Sequence, residues 1–259
     1  MCGRFVSDLA PAAIAALFEV APPLPNAAPS WNMAPTMQAP VLRHHPPSGE
    51  RRLDLLRWGL LPHFIKDPKA ARRPINARAE TVRSLGLFRS AFAQRRCLVP
   101  ATAFYEWRAE ADGKQPFAVA RVDGAQMALA GLWESWTSPE GEVLRSFTIV
   151  TTTANAEMSA LHERMPVILE RDAWAPWLDG APDAAAALMR PAPGGTLRLW
   201  PVSRRVNSVR NDGPELLSPC ALPDPRPRRR GRTRREETRA RLRLRLKLRQ
   251  RPSLGKPIP

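Results

Sequence analysis

Short runs of apolar and β-branched residues, broken by proline- and glycine-containing turns, dominate this chain, and helical spacing is confined to a few stretches. The first helical stretch is predicted at residues 7–20, where Ile14, Leu17 and Phe18 share one face and Ser7 or Asp8 can cap it. A Pro/Ala loop follows at 21–30, and Trp31 to Thr36 reads as a polar turn leading into a strand at 38–42. The His44-His45-Pro46-Pro47 segment predicts a hairpin loop with solvated histidines rather than metal ligands. A strand at 53–58 is turned by Gly59, residues 72–81 form a polar loop entering a short helix, and 88–94 a helical turn. Strands are predicted at 96–101, 104–108, 146–153 and 197–202, with a turn at Asp112-Gly113. Residues 116–122 and 127–136 are predicted to pair as a hairpin around Asp123-Gly124. Short helices are expected at 156–161, 172–178 and 182–189, the last with Pro182 in its first turn. Many short strands with few helices imply an α+β fold: one domain over residues 2–222, a bent sheet or open β-barrel core with short peripheral helices.

Composition adjusts this picture in four ways. A hydrophobic content of 44% over 259 residues supports a substantial core. No 18-residue apolar run and no basic-then-apolar leader is present, so neither a membrane span nor a secretory signal is expected, and a cytoplasmic, nucleoid-associated setting is. Cys2, Cys97 and Cys220 are an odd set without CxxC spacing, which argues against a disulfide framework or zinc site. The net charge of +16 is unevenly placed. From Asp224 to Pro259 there are 15 Lys+Arg against 3 Asp+Glu, a net of +12, whereas the remainder carries 25 against 21, a net of +4. The segment 223–259 therefore reads as a basic, disordered tail, too poor in apolar residues to order itself.

The chemistry begins at Met1-Cys2-Gly3-Arg4-Phe5. Removal of Met1 would expose Cys2 with a thiol of ordinary pKa roughly 8.5 beside an α-amine near roughly 7.7. An amine and a thiol two carbons apart together capture an aldehyde: the amine forms a Schiff base and the thiol closes a five-membered thiazolidine. Three further polar residues suit such chemistry. Asn76 offers a neutral amide, Glu106 lies between the aromatics Tyr105 and Trp107, a setting that suits a general acid/base, and His162 offers an imidazole that can shuttle protons. Singly, each has an ordinary reading: a helix cap for Asn76, a surface carboxylate for Glu106, a helix-end imidazole for His162.

Seven segments occur in a characteristic order: Cys2-Gly3-Arg4-Phe5, Trp31 to Thr36, Trp58 to Pro62, Ile75 to Thr81, Phe104 to Trp107, His162 to Pro166 and Val206 to Asp212. Together they resemble the SOS-response-associated peptidase (SRAP) family, whose members shield abasic sites in single-stranded DNA. The likeness runs from Cys2 to about Leu217 and leaves the basic tail uncovered. It implies that Cys2 attacks C1′ of the ring-opened abasic sugar, that Asn76 positions amine and sugar oxygen, that Glu106 transfers protons, and that His162 promotes Schiff-base formation and its reversal. It further implies Arg4, Arg78 and Arg164 as phosphate ligands, Trp58 and Pro35 as stacking surfaces, and Asn32 and Thr151 as sugar–phosphate ligands. For Trp58 a place in the core is the competing expectation. The implied partner is single-stranded DNA bearing abasic sites, bound by a monomer without metal or organic cofactor. Self-processing at Cys2 and weak lyase activity accompany the resemblance. Two other classes stay open: a thiol peptidase, for which no oxyanion hole is legible, and a non-catalytic basic nucleic-acid-binding protein.

Overall fold

The computed structural model describes residues 2–45, 48–111 and 113–222. The basic tail at 223–259 lies outside the described residues. In chain order the strands are β1 (Arg4–Ser7), β2 (Ser30–Met33), β3 (Gln38–His44), β4 (Arg51–Trp58), β5 (Asn76–Arg78), β6 (Arg96–Ala101), β7 (Ala103–Glu110), β8 (Gly113–Arg121), β9 (Met127–Thr137), β10 (Val143–Thr153), β11 (Arg164–Pro166), β12 (Ile168–Leu169) and β13 (Leu197–Pro201). The helices are α1 (Pro11–Phe18), α2 (Arg89–Gln94), α3 (Ala156–Ser159), α4 (Arg171–Asp179) and α5 (Pro182–Ala187), followed by short 3₁₀ turns at Arg204–Asn207 and Pro214–Leu217.

The strands form two sheets. One has the order β13-β8-β7-β1-β2. The other runs β11-β10-β4-β3-β6-β9-β12, with β5 beside β10. Because β9 also pairs with β10, the strands β10, β4, β3, β6 and β9 close into a ring. Closure removes the open edges of those strands and makes a barrel interior that apolar side chains fill. The α+β class with a barrel core and short peripheral helices is therefore what forms. One apolar cluster joins the two sheets: Cys2 and Phe5 from the start of the chain, Trp58, Phe104, Phe147, Ile149, Met158 and Met165.

Five local expectations are corrected. Helix α1 starts at Pro11 rather than Ser7, and its N-cap, Ala10, contributes no side-chain bond. Ser7 is instead the last residue of β1, paired with Ser30, so its backbone is committed to the sheet. The apolar face holds, with Ile14 and Phe18 buried. Trp31 to Met33, expected as a turn, belong to β2, which pairs with β1 and leaves only Ala34 to Met37 as the connection. Residues 76–78, expected in a loop before a helix, form β5 parallel to β10.

The fourth and largest correction concerns strand partners. Residues 116–122 and 127–136 do not form a hairpin. Strand β8 pairs with β7 and β13, while β9 pairs with β6, β10 and β12, so the turn at Gly124 (φ 72°) passes the chain from one sheet to the other. A local turn sequence reverses the chain, yet both edges of β8 are satisfied by strands distant or upstream in sequence. The hairpin that does form is β7–β8, where Glu110 pairs with Gly113 at φ 128°, a left-handed conformation glycine adopts without a Cβ clash. Finally, β3 and β4 form the predicted hairpin with His44 opposite Arg51, but His44 is not merely solvated: its ring nitrogens bond Gly49 O and Asp179.

Candidate active site

The site grows from the start of β1. Antiparallel pairing sets Arg4 against Tyr105 and Phe5 against Phe104, so the residues preceding β1 lie along β7 at Glu106 and Trp107. Here Gly3, Arg4, Glu106, Trp107, Lys114, His162 and Asn207 line an open cavity of about 510 Å³. Cys2 is fully buried, its Sγ directed at Arg4 O, 3.9 Å away. Burial pushes its thiol up to about 12, the Glu106 carboxylate adds to the rise, and the positive chain terminus opposes it. Within this site the sulfur is a thiol, not a resident thiolate.

Glu106 is buried on β7, and its Oε1 accepts from the Trp107 N–H at 3.2 Å. His162 follows α3, whose N-cap Asn155 accepts from Met158 N, and His162 N in turn donates to Met158 O. Its Nδ1 accepts from Arg164 N at 2.9 Å. A neutral imidazole with Nδ1 used as acceptor carries its proton on Nε2. The cavity therefore presents an imidazole N–H and a carboxylate beside a buried thiol.

Asn76 is placed differently. Ile75 packs against the cluster that contains Cys2, and Leu161, preceding His162, does likewise. The Asn76 side chain lines a second cavity of about 520 Å³ with Arg72, Arg73, Arg78 and Leu85. Its Nδ2 donates to Ile75 O at 2.9 Å, while its Oδ1 is buried without a donor. Such an orphaned acceptor costs about 1–3 kcal/mol, and it is poised to accept from a substrate donor. Two of the four expected reactive residues, Glu106 and His162, thus line one cavity; Cys2 is buried next to its lining residue Gly3, near enough to Glu106 for the carboxylate to act on the thiol, and Asn76 lines a separate cavity.

The residues expected to hold DNA divide. Arg78 is exposed at the end of β5, and Pro35 is half-buried in the loop after β2. Arg4 lines the first cavity, but its guanidinium already donates to Asn32 Oδ1 (2.7 Å) and Val206 O (2.9 Å). The remaining four are enclosed or already engaged. Trp58 is fully buried, edge-on to Phe5 at 5.1 Å, with its indole N–H on Ile75 O at 2.9 Å. It cannot stack on a base; it braces the residue before Asn76. Asn32 is 1% exposed, and its Nδ2 faces Val206 O, Ser208 O and Asn211 O at 3.2, 3.0 and 2.8 Å. It pins the 206–211 loop rather than offering itself to a sugar. The Thr151 side chain is buried on β10 against Ala77 O. Arg164 is forked onto Glu80 at 2.6 and 2.9 Å and bonds Thr151 O at 2.7 Å. These bonds hold Glu80 below the usual carboxylate range. A phosphate on Arg164 would have to compete with Glu80.

Lys114, Trp107 and Asn207 were not foreseen at the site. Trp107 and Asn207 lie within the ordered segments and are joined by a 2.8 Å bond from the indole N–H to Asn207 Oδ1. Lys114 has no local signal: only the β7–β8 register, which sets it against Ala109, brings it there. Among the described residues no three His, Cys, Asp or Glu side chains gather as metal ligands, and no helix is long and apolar enough to cross a membrane.

Fold and site together define an α+β protein with a buried cysteine at position 2 beside an open cavity lined by a carboxylate and an imidazole. The chain belongs to the SOS response associated peptidase (SRAP) family, whose sequence model matches residues 1–209. It is 38% identical over 223 residues to the abasic site processing protein YoqW of Bacillus subtilis (strain 168), covering 84% of this chain and 99% of that one. It is 36% identical over 231 residues to the abasic site processing protein HMCES of Gallus gallus, covering 76% of this chain and 68% of that one. A crystal structure of a Bacteroides thetaiotaomicron protein shares the fold at a TM-score of 0.78 and 21% identity, covering 85% of this chain and 100% of its own.

Proposed function

We propose that this protein processes abasic sites in single-stranded DNA by forming a thiazolidine cross-link through Cys2 once Met1 is removed. The observation that carries the reading is the buried, protonated Cys2 thiol within the electrostatic reach of Glu106, which lines one cavity with His162. A buried, protonated thiol is a poor first nucleophile. The α-amine therefore acts first, adding to the C1′ aldehyde of the open sugar and losing water to a protonated imine. Sγ then adds to C1′ and closes the ring, its proton passing to the Glu106 carboxylate. One water leaves, the proton borrowed to expel it is returned, and no oxidant or cofactor is consumed. The His162 Nε2–H serves the oxygen that departs as the sugar ring opens, and the Asn76 amide holds the amine and sugar oxygen. Arg78, Arg4 and Pro35 contact the flanking strand, and the basic tail adds affinity through counterion release. The protein acts as a monomer.

The same imine permits β-elimination, so slow strand cleavage at the lesion accompanies the cross-link. Peptidase activity is confined to exposing Cys2; hydrolysis of other proteins would need a thiolate, which burial opposes here. The curated relatives' names, abasic site processing protein, favour the DNA reading. The test is a single-stranded oligonucleotide carrying one abasic site, incubated with wild type and Cys2→Ala and run on a denaturing gel. A heat-stable shifted band is expected from wild type alone, on abasic DNA alone. No band from a protein whose mature N-terminal Cys2 is verified by mass spectrometry would overturn the proposal.

A further inference from the structure

The cavity beside Cys2 is lined from both faces of the β7–β8 hairpin. Side chains alternate along these strands: Phe104 and Val119 face the cluster that holds Cys2, whereas Tyr105 and Ala118 face a second cluster with Val206. Glu106, opposite Phe117, follows the first face. Trp107 and Lys114, opposite Pro116 and Ala109, follow the second. Arg4 pairs with Tyr105 and its guanidinium reaches Val206 O, so it stands on this second side as well. Arg4, Trp107, Lys114 and Asn207 thus form one wall of the opening, across from the carboxylate of Glu106.

The polar groups of that wall are committed, with one exception. The Arg4 Nη1 donates to Asn32 Oδ1 and Val206 O at 2.7 and 2.9 Å, and its Nη2 to Asn207 O at 3.4 Å, which leaves only part of its fork for a ligand. The Trp107 indole N–H is held by Asn207 Oδ1 at 2.8 Å. Glu110, on the same hairpin, is taken by Arg108 at 2.8 Å. Lys114 is exposed, and among the described residues its ammonium has no hydrogen bond or ion pair.

The substrate must bring a charge to this place. A sugar whose C1′ reaches Cys2 carries its two phosphates with it, one through O3′ and one through C5′ and O5′, so both stay at the mouth of the cavity. With the base gone, phosphate contacts are what hold the sugar in register. An ammonium is a compact charge on a flexible stem and meets a phosphate oxygen without the planar fit a guanidinium requires.

We infer that Lys114 is a phosphate ligand of the Cys2 site, its ammonium taking one of the two phosphates that flank the lesion. The inference rests on the DNA reading of that site and names the group that seats the sugar over it.

The test compares wild type, Lys114→Gln and Lys114→Arg in the full chain on a single-stranded oligonucleotide carrying one abasic site. Cross-linking rates are followed on denaturing gels over a range of protein and salt concentrations. Lys114→Gln is expected to raise the half-saturating concentration on the order of fivefold, with the slope of log K against log salt shallower by about 0.7, one contact on single-stranded DNA. The loss should fall on half-saturation rather than on the saturated rate, Lys114→Arg should restore it, and thermal unfolding should match wild type. Two further strands carry a neutral methylphosphonate on the 5′ or the 3′ side of the lesion. In wild type one of them should weaken binding by the same factor, and in Lys114→Gln that replacement should cost nothing more. Wild-type affinity and salt slope in Lys114→Gln would overturn the ligand and leave a solvated lysine. A full methylphosphonate penalty persisting at both positions in Lys114→Gln would overturn it too. Absence of any cross-link from wild type on the unmodified strand would instead strike the DNA reading itself.

Discussion

Replacing Asn32 with alanine separates its two possible roles. As a DNA ligand, Asn32 would contribute to binding and little to stability. Its position predicts the reverse. The side chain is 1% exposed, with Nδ2 facing three carbonyls of the 206–211 loop and Oδ1 accepting from Arg4 at 2.7 Å. Two N–H groups shared among three acceptors amount to about two neutral hydrogen bonds, near 1 kcal/mol each, and the bond from Arg4 to about 1.5–3 kcal/mol. Allowing for Val206 O keeping its bond from Arg4, the loss is about 3–4 kcal/mol. For a domain of this size that lowers Tm by roughly 6–16 °C. Thermal and urea unfolding of Asn32→Ala and Asn32→Asp measure it, alongside cross-linking at a temperature where each variant is folded. Alanine should cost stability in full and slow cross-linking through a loosened Asn207 and Arg4. A stability change under about 1 kcal/mol with weakened DNA binding would refute the scaffold role.

The other predictions follow from neighbouring contacts. Trp58→Ala should cost about 3–5 kcal/mol from the core, whereas Trp58→Phe, keeping the packing but losing the bond to Ile75 O, should cost about 1 kcal/mol and slow cross-linking, as denaturation and gel kinetics would show. Glu80→Gln should release Arg164 to phosphate, tightening single-stranded DNA binding and steepening its salt slope by about 0.7, measured by anisotropy. Burial raises the Cys2 thiol, so its stabilising preference for the protonated form is complete below roughly pH 8.5 and is lost as pH rises toward about 12; iodoacetamide labelling of the native protein at pH 8 should be much slower than of the urea-unfolded chain.

Much of this protein was legible in one dimension. The alternation of apolar residues marked the strand at 96–101 and most of β3, β4, β10 and β13, because a residue's preference for a pleated surface is short-ranged. The helical face of Ile14 and Phe18 was legible for the same reason, and proline at Pro182 marked a helix start. Cys2 behind Met1 carries its two nucleophiles by covalent structure alone, and the order of seven segments sufficed for the family. What the chain could not reveal locally was which edges strands would satisfy. The turn at Asp123-Gly124 looked like a hairpin, yet closure of β9 onto β10 and capture of β8 by β7 and β13 decided otherwise, since pairing is a competition among all available edges. Burial decided the rest. Trp58 and Asn32 carry side chains as suited to DNA as to a core, and only the packing of Phe5 and Phe147 around one, and of the 206–211 loop over the other, made them scaffold. Glu80 met Arg164 across 84 positions, and Lys114 reached its cavity only through the register of the β7–β8 hairpin, neither of which residue type discloses.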